Sequence, residues 1–188
     1  MSPSQWIKDA VKDPNKLTLF RILAAPVIII LLLEPNRITT CFAALIFSAA
    51  AITDYFDGYL ARRKGLVSNL GKVMDPVADK LLVSSAFIML AALNWIPAWV
   101  VCVIVGRELA VTGLRNIIAQ NRKDVSASNL GKYKTGFQIA AIIPLLFHYP
   151  YFGVELHVIG MVFLWGALIF TIWSGADYFI RNKDLLQT

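Results

Sequence analysis

The chain has 188 residues, of which 57% are hydrophobic and 16% charged, and it carries a formal net charge of +6. Soluble domains hold roughly 45–50% apolar and about 25% charged residues, so a soluble fold of this length could not bury so much apolar surface, and the excess must face lipid. The apolar runs leave no room for a nucleic-acid module, so the basic excess points to anionic lipid headgroups or phosphorylated substrates.

At the N-terminus, residues 1–16 are polar and charged, unlike a cleavable signal peptide. Trp6, Ile7, Ala10 and Val11 share one helical face opposite Lys8, Asp9, Lys12 and Asp13. That pattern predicts a short amphipathic helix lying on the membrane surface, although a frayed terminus fits the same length. Six membrane helices are then predicted at Leu17–Leu33, Ile38–Tyr59, Val73–Leu93, Ile96–Ile118, Gly136–Tyr149 (with a polar lead-in from Leu130) and Val154–Phe179. Most approach the roughly 20 residues a bilayer crossing requires. Breakers separate them: Pro35-Asn36, Gly65 to Gly71, Asn94 with Pro97, Asn121 to Asn129, and Pro150 to Gly153. Cys41 and Cys102 lie inside apolar segments without zinc or disulfide spacing.

Basic residues alternate between the connections. Lys8, Lys12 and Lys16 precede the first helix, and Arg62, Arg63, Lys64 and Lys72 join the second to the third. Arg122, Lys123, Lys132 and Lys134 join the fourth to the fifth, while Arg181 and Lys183 follow the sixth. The other connections hold almost nothing basic. By the positive-inside rule, both termini and the second and fourth connections are cytoplasmic. The expected fold is an all-α integral membrane protein of six transmembrane helices. It comprises an interfacial segment over 1–16, one helical domain over 17–180 and a short cytoplasmic tail over 181–188.

The segment from Thr53 to Lys80 concentrates the chemistry. Asp54, Asp57, Gly58, Ala61 and Arg62 form one stripe at helical pitch near the cytoplasmic end of the second helix. Gly71, Asp75 and Asp79, spaced by four, form another at the start of the third, and a short connection brings the stripes to one membrane level. Each intramembrane Asp costs about 2.5–3.5 kcal/mol, and mutual repulsion adds to that. The acids must therefore take up protons or bind cations. Carboxylate oxygens without His or Cys select hard ions such as Mg2+, Mn2+ or Ca2+, and four acids can bridge two of them in a geometry that clamps phosphate oxygens. Gly58, Ala61 and Gly71 let helices, and a bulky diphosphate, come close. The plainer alternatives are a salt-bridge cluster with Arg62 and Arg63, and Asp75 before Pro76 as a helix cap.

The run Asp54-x-x-Asp57-Gly58-x-x-Ala61-Arg62, eight residues, then Gly71-x-x-x-Asp75-x-x-x-Asp79 resembles the signature of the CDP-alcohol phosphatidyltransferase family at every specified position. The resemblance implies that Asp54, Asp57, Asp75 and Asp79 bind two divalent cations, Mg2+ or Mn2+, and that Asp79 also acts as general base. It implies that Gly58, Arg62 and Ser68 line the site of the CDP-linked donor. Less specific likeness to a bacterial branch of the family runs over nearly the whole chain. Pro14 to Arg21 carries it, as do Arg107-Glu108 with Leu114-Arg115, Gly131-Lys132-Tyr133-Lys134-Thr135 with Gln138, and Ser174 to Tyr178. That likeness implies CDP-diacylglycerol as donor, sn-glycerol 3-phosphate as acceptor, membrane lipids as surroundings and a homodimer in the bacterial cytoplasmic membrane, with its active site open to the cytoplasm. Phosphatidylglycerol, inositol phosphate or serine as acceptor remain alternatives.

The residues themselves support a phosphorylated acceptor. Arg107 lies in an otherwise apolar helix, where an unpaired guanidinium is functional by default. Glu108 points about 100° away, so its pairing with Arg107 is not automatic. Arg115 falls on the face of Arg107, and Lys132 and Lys134 come from the next helix. Together they could cradle a phosphate, against structural pairing of Arg107 with Glu108 or Asp177 and plain interfacial anchoring of the lysines. Asn15, Thr18 and Arg21 share a face and could contact the nucleotide, although Asn15 also suits a helix cap. His148 and His157, in the outer connection, are expected to be bystanders. Acids within helices also mark ion paths, so a divalent-cation channel or transporter is the rival from another class.

Overall fold

The computed structural model describes residues 14–64, 69–120, 129–150 and 155–181, with side chains described at 18–53, 74, 76–116, 118, 131–150 and 155–181. These residues form six helices and no strand. In chain order they are α1 (Pro14–Leu33), α2 (Arg37–Lys64), α3 (Asn69–Ala92), α4 (Ala98–Gln120), α5 (Asn129–Leu146) and α6 (Leu156–Arg181). The interfacial helix expected over 1–16 and the tail over 182–188 lie outside the described residues.

Local chemistry sets the helix ends. At the start of α2 the Asn36 side-chain oxygen accepts from the backbone N–H groups of Ile38 (2.9 Å) and Thr39 (3.0 Å). The Asn36 N–H in turn donates to the Thr39 hydroxyl at 2.9 Å. Donors that would otherwise have no partner are thus met reciprocally. α3 ends in a Schellman motif: Trp95 N–H reaches Leu90 O at 3.0 Å and Asn94 N–H reaches Ala91 O at 2.9 Å. Asn94 supplies the left-handed residue at φ 57°, a conformation that Asn tolerates better than other non-glycine residues.

Helices α2 and α3 overrun the apolar limits expected from sequence at the ends that carry the signature. α2 continues to Lys64, five residues past Tyr59, and α3 begins at Asn69, four before Val73. At 1.5 Å per residue, the 28 residues of α2 span about 42 Å, more than the roughly 30 Å of hydrocarbon in a bilayer. The surplus is the polar end that carries the signature acids. Its backbone hydrogen bonds are made within the helix, so hydropathy alone did not mark where it stops. The early start of α3 also puts Pro76 inside the helix. Asp75 therefore cannot be an N-terminal cap, which removes one of the plainer readings of that residue.

The chain divides into two compact units at Met89 and Leu90. In the first, α1 packs on α2 through small and branched residues: Ala24, Ala25, Ile28, Leu32, Ala43, Ala44, Phe47 and Ala50 are all buried. In the second, α6 packs along α5 and against α4. Here Gly160 lies so close to α5 that a Cβ would fall 2.6 Å from Leu145 Cγ and 3.0 Å from its backbone nitrogen. Gly166 meets Phe137 in the same way. The pairings Leu145 with Gly160, Phe137 with Gly166 and Tyr133 with Phe170 make α5 and α6 antiparallel.

The outward faces are apolar. Leu19, Leu23, Val27, Ile30 and Leu33 follow one another along α1, and Val158, Val162, Trp165, Ile169, Ile172 and Trp173 along α6, all exposed. Long exposed apolar stripes of this kind are unusual on soluble monomers and suit contact with lipid. Among the described residues, α6 alone is both long and apolar enough to cross a membrane, and Thr18–Leu33 and Arg37–Thr53 are shorter apolar helices. Gly160→Val should lower stability by about 1–3 kcal/mol through overpacking. Thermal unfolding of the detergent-solubilised protein measures this, with Gly113→Val, where nothing lies within 4 Å of the added carbon, as the tolerated comparison.

Candidate functional site

In the first unit, every fixed position of the signature sits on helical backbone. α2 runs unbroken through Asp54, Asp57, Gly58, Ala61 and Arg62, and α3 through Gly71, Asp75 and Asp79. The spacings of three and four are therefore true helical spacings, and each set shares a face. The side chains of Asn15, Asp54, Asp57, Ala61, Arg62 and Asp75, with residue Ser68, lie outside the described residues, as do the immediate surroundings of Gly58 and Gly71. Asp79 is half-buried. Among the described residues no three His, Cys, Asp or Glu side chains gather as metal ligands. Thr18 and Arg21, on the inner face of α1, are buried, with Arg21 only 1% exposed.

The second unit holds a charged network in its interior. Arg107 of α4 donates from Nη2 to the Ser174 hydroxyl of α6 at 3.0 Å and from Nη1 to Glu108 Oε1 at 3.4 Å. The same carboxylate oxygen accepts from Lys134 Nζ of α5, so one anion is shared by two cations on two helices. The 100° offset between Arg107 and Glu108 does not prevent pairing, because the long Arg107 side chain bends back toward its neighbour. Ser174 is fixed in polarity: its hydroxyl donates to Phe170 O at 2.6 Å and so must accept from Arg107. Gly175 makes room, since a Cβ there would sit 3.1 Å from Arg107 Cγ. Asp177 bonds to Arg181 at 2.7 Å and takes no part, which settles which acid pairs with Arg107.

The four basic residues expected around a phosphate thus divide. Arg107 and Lys134 meet through Glu108, with Lys134 only 6% exposed, whereas Arg115 and Lys132 are exposed. Arg115 remains near enough to repel the charge on Arg107. Arg107 Nε is buried without a hydrogen-bond partner among the described residues. An unmet cationic donor in an apolar interior is costly, and it suits an anionic ligand. From sequence, Glu108 entered as a pairing partner and through the family likeness, and Ser174 and Gly175 only through the likeness over Ser174 to Tyr178, with no chemical role assigned. The available signal was a small polar pair, Ser174-Gly175, inside an otherwise apolar helix.

The histidines lie at the other end of this unit. His148 stacks on Trp95 with ring centroids 3.9 Å apart and planes 2° from parallel. His157 meets His148 edge-on at 5.0 Å. Burial pushes the His148 pKa below the ordinary imidazole value, and His157 pushes it the same way.

The sequence matches the family described as CDP-alcohol phosphatidyltransferase over residues 12–173, a span that takes in α1 to α5 and most of α6. The chain belongs to the CDP-alcohol phosphatidyltransferase family. It is 42% identical over 187 residues to the CDP-diacylglycerol–glycerol-3-phosphate 3-phosphatidyltransferase of Bacillus subtilis, covering 93% of this chain and 97% of that one. The protein of the same name from Rickettsia typhi is 41% identical over 171 residues, 90% of this chain and 96% of its own. That of Shigella flexneri is 36% identical over 179 residues, 93% and 97% respectively. The chain is accordingly an enzyme, a phosphatidyltransferase, and the ion-path reading of its acids falls away.

In this transferase Glu108 is what makes the buried cations of α4 and α5 tolerable. Glu108→Ala should destabilise the fold by about 3–5 kcal/mol, because it leaves two buried charges without their counter-ion; chemical or thermal unfolding in detergent reads this. His148 gives a second expectation. With its pKa lowered on folding, the unfolded state binds more protons. Its contribution is fully present above the ordinary imidazole pKa and is lost as pH falls through the lowered one. The unfolding temperature should drop less on acidification in His148→Phe, which keeps an aromatic ring against Trp95, than in the parent protein.

Proposed function

We propose that this enzyme transfers the phosphatidyl group of CDP-diacylglycerol to sn-glycerol 3-phosphate, releasing CMP and forming phosphatidylglycerol phosphate. The observation that carries this reading is the likeness, over nearly the full length of both chains, to transferases named for that donor and acceptor. The pairing of Arg107 and Lys134 around one carboxylate supports a phosphorylated acceptor.

The donor set at the signature, four carboxylates on two helical faces without His or Cys, fits hard divalent cations. Asp54, Asp57, Asp75 and Asp79 would hold two, Mg2+ or Mn2+. When bound, they supply positive charge against the diphosphate and the departing CMP. Asp79 takes the proton of the acceptor's primary hydroxyl. The resulting oxygen attacks the phosphorus that bears diacylglycerol, and the bond from that phosphorus to the CMP oxygen breaks. No activated Ser, Cys or His stands among the signature residues, so the displacement is direct. Gly58, Ala61 and Gly71 leave room for the diphosphate, while Asn15, Thr18, Arg62 and Ser68 contact the CDP part. Arg107 and Lys134 grip the acceptor's phosphate, with Arg115 and Lys132 drawing the dianion in from outside.

The enzyme works as a homodimer in the bacterial cytoplasmic membrane. Each chain crosses six times within residues 17–180, with 1–16 on the membrane surface, 181–188 in the cytoplasm, and both termini and the active site on the cytoplasmic side. The alternation of basic connections supports this orientation.

CMP release by purified protein, with CDP-diacylglycerol and each of glycerol 3-phosphate, phosphatidylglycerol, inositol phosphate and serine, tests the reaction. Glycerol 3-phosphate should give turnover that chelator abolishes and Mg2+ or Mn2+ restores. Release with another alcohol alone, or turnover surviving full chelation, would overturn it. Asp79→Asn should lower kcat by about 10²–10⁴-fold while donor binding persists; an unchanged kcat removes Asp79 as base.

A further inference from the structure

Arg107 is held at the two terminal nitrogens of its guanidinium. Nη2 donates to the Ser174 hydroxyl at 3.0 Å and Nη1 to Glu108 Oε1 at 3.4 Å, while Nε is buried and meets no acceptor among the described residues. Ser174 and Gly175, neighbours on α6, both lie against this side chain. The reaction as described gives neither of them a task.

Ser174 is 1% exposed, and its single proton is already engaged. The hydroxyl donates back along its own helix to Phe170 O at 2.6 Å, with Thr171 O at 3.2 Å as a second carbonyl in reach. A back-bond of this kind, open to serine inside a helix, leaves the oxygen only lone pairs to offer Arg107. The group that meets Nη2 is therefore a neutral acceptor. A carboxylate in its place would also orient the guanidinium, but it would add a second negative charge beside Glu108 and repel an anionic ligand. A hydroxyl orients Arg107 and leaves its charge to act on that ligand.

Gly175 acts by what it lacks. A Cβ there would fall 3.1 Å from Arg107 Cγ, 3.5 Å from Nε and 3.9 Å from Cδ, so the arginine stem runs over bare helix backbone. Alanine is the better residue inside a helix, yet glycine stands where a methyl group would press on the stem and on Nε. The two neighbours thus fix complementary parts of one side chain: Ser174 the guanidinium end, Gly175 the stem.

Resting on the assignment of Arg107 to the acceptor's phosphate, we infer that Ser174 and Gly175 are positioning residues that present the Nε–H of Arg107 to that phosphate. A guanidinium pinned beforehand loses little rotamer freedom when the phosphate arrives. The pair therefore governs acceptor affinity, and takes no part in proton transfer or in holding the donor.

Steady-state CMP release by the purified protein, with glycerol 3-phosphate and CDP-diacylglycerol varied in turn, tests this. Ser174→Ala should raise the acceptor KM roughly 3- to 30-fold, with much smaller changes in kcat and in the donor KM. Ser174→Cys, whose sulfur accepts only weakly, should fall between serine and alanine, an order that follows acceptor strength rather than side-chain size. Gly175→Ala should raise the acceptor KM severalfold while the unfolding temperature holds or rises, a combination that damaged packing does not give. KM is independent of how much enzyme is folded, so partial misfolding does not imitate these results. Arg107→Lys, which keeps the charge and loses the fork, is the reference and should raise the acceptor KM at least as far. An acceptor KM unchanged in Ser174→Ala and Gly175→Ala but raised in Arg107→Lys overturns this inference alone. One unchanged in Arg107→Lys as well removes Arg107 from the acceptor, and both readings fall. Equal rises in donor and acceptor KM in Ser174→Ala mark a general distortion and likewise overturn the positioning role.

Discussion

Charge inside a medium of low dielectric must be answered on the spot, and the helices of this protein are arranged around that demand. In the second unit a single carboxylate, Glu108, answers two cations brought by different helices. Were either cation alone there, desolvation would outweigh its attraction to Glu108 in all but ideal geometry. Together with Ser174 they form a network in which each charged group has a partner, and α4, α5 and α6 are tied through it. The apolar packing beneath, with Gly160 and Gly166 bringing α6 against α5, sets the distance at which those long side chains meet.

The same demand explains which parts of the fold were legible in the sequence. Helices existed where apolar runs were bounded by Pro35-Asn36 or by Asn94, because those residues terminate helices by mechanisms visible in a string of letters: a side chain that mimics a backbone acceptor, and a tolerance for left-handed φ. Helix ends were not legible where a polar segment continues the helix, as past Tyr59 in α2 and before Val73 in α3. There the backbone is satisfied internally whatever the side chains are, and only the surroundings decide where winding stops. For the site, the spacing of Asp54, Asp57, Asp75 and Asp79 could be read directly, since periodicity is all that a shared helical face requires. The sharing of Glu108 between Arg107 and Lys134 could not. It depends on how two helices bring together residues 26 apart in sequence, and no local pattern encodes that placement.

Lys132 and Lys134 show the limit most sharply. Two residues apart on one helix, they project about 200° apart, so the pitch of an α-helix is enough to forbid grouping them in one cradle. The structure buries Lys134 and exposes Lys132. Charge composition made them equivalent, and helical phase separates them. Arg107 and Arg115 differ by a related effect. Eight residues turn them about 80° apart, so Arg107 faces Ser174 and Gly175 of α6 while Arg115 stays exposed.

On the proposed role of Arg107 and Lys134 as the grip on the acceptor's phosphate, a carboxylate between them looks self-defeating, since Glu108 would repel the same anion. The balance is decided by what the cations do when the ligand is absent. Without a shared counter-ion, Arg107 and Lys134 would repel each other in the interior, and the lysine would relieve this by swinging out to water. Held by Glu108, both stay in place, so the ligand would meet an organised site rather than one it must assemble at its own expense. The repulsion from one carboxylate acts on ground state and transition state alike, whereas fixing the phosphate fixes the attacking hydroxyl for displacement. Arg115, exposed and of the same sign as Arg107, offsets part of that repulsion from outside. Glu108 thereby exchanges some affinity for order, a sound exchange for an enzyme whose acceptor must be aimed at one phosphorus.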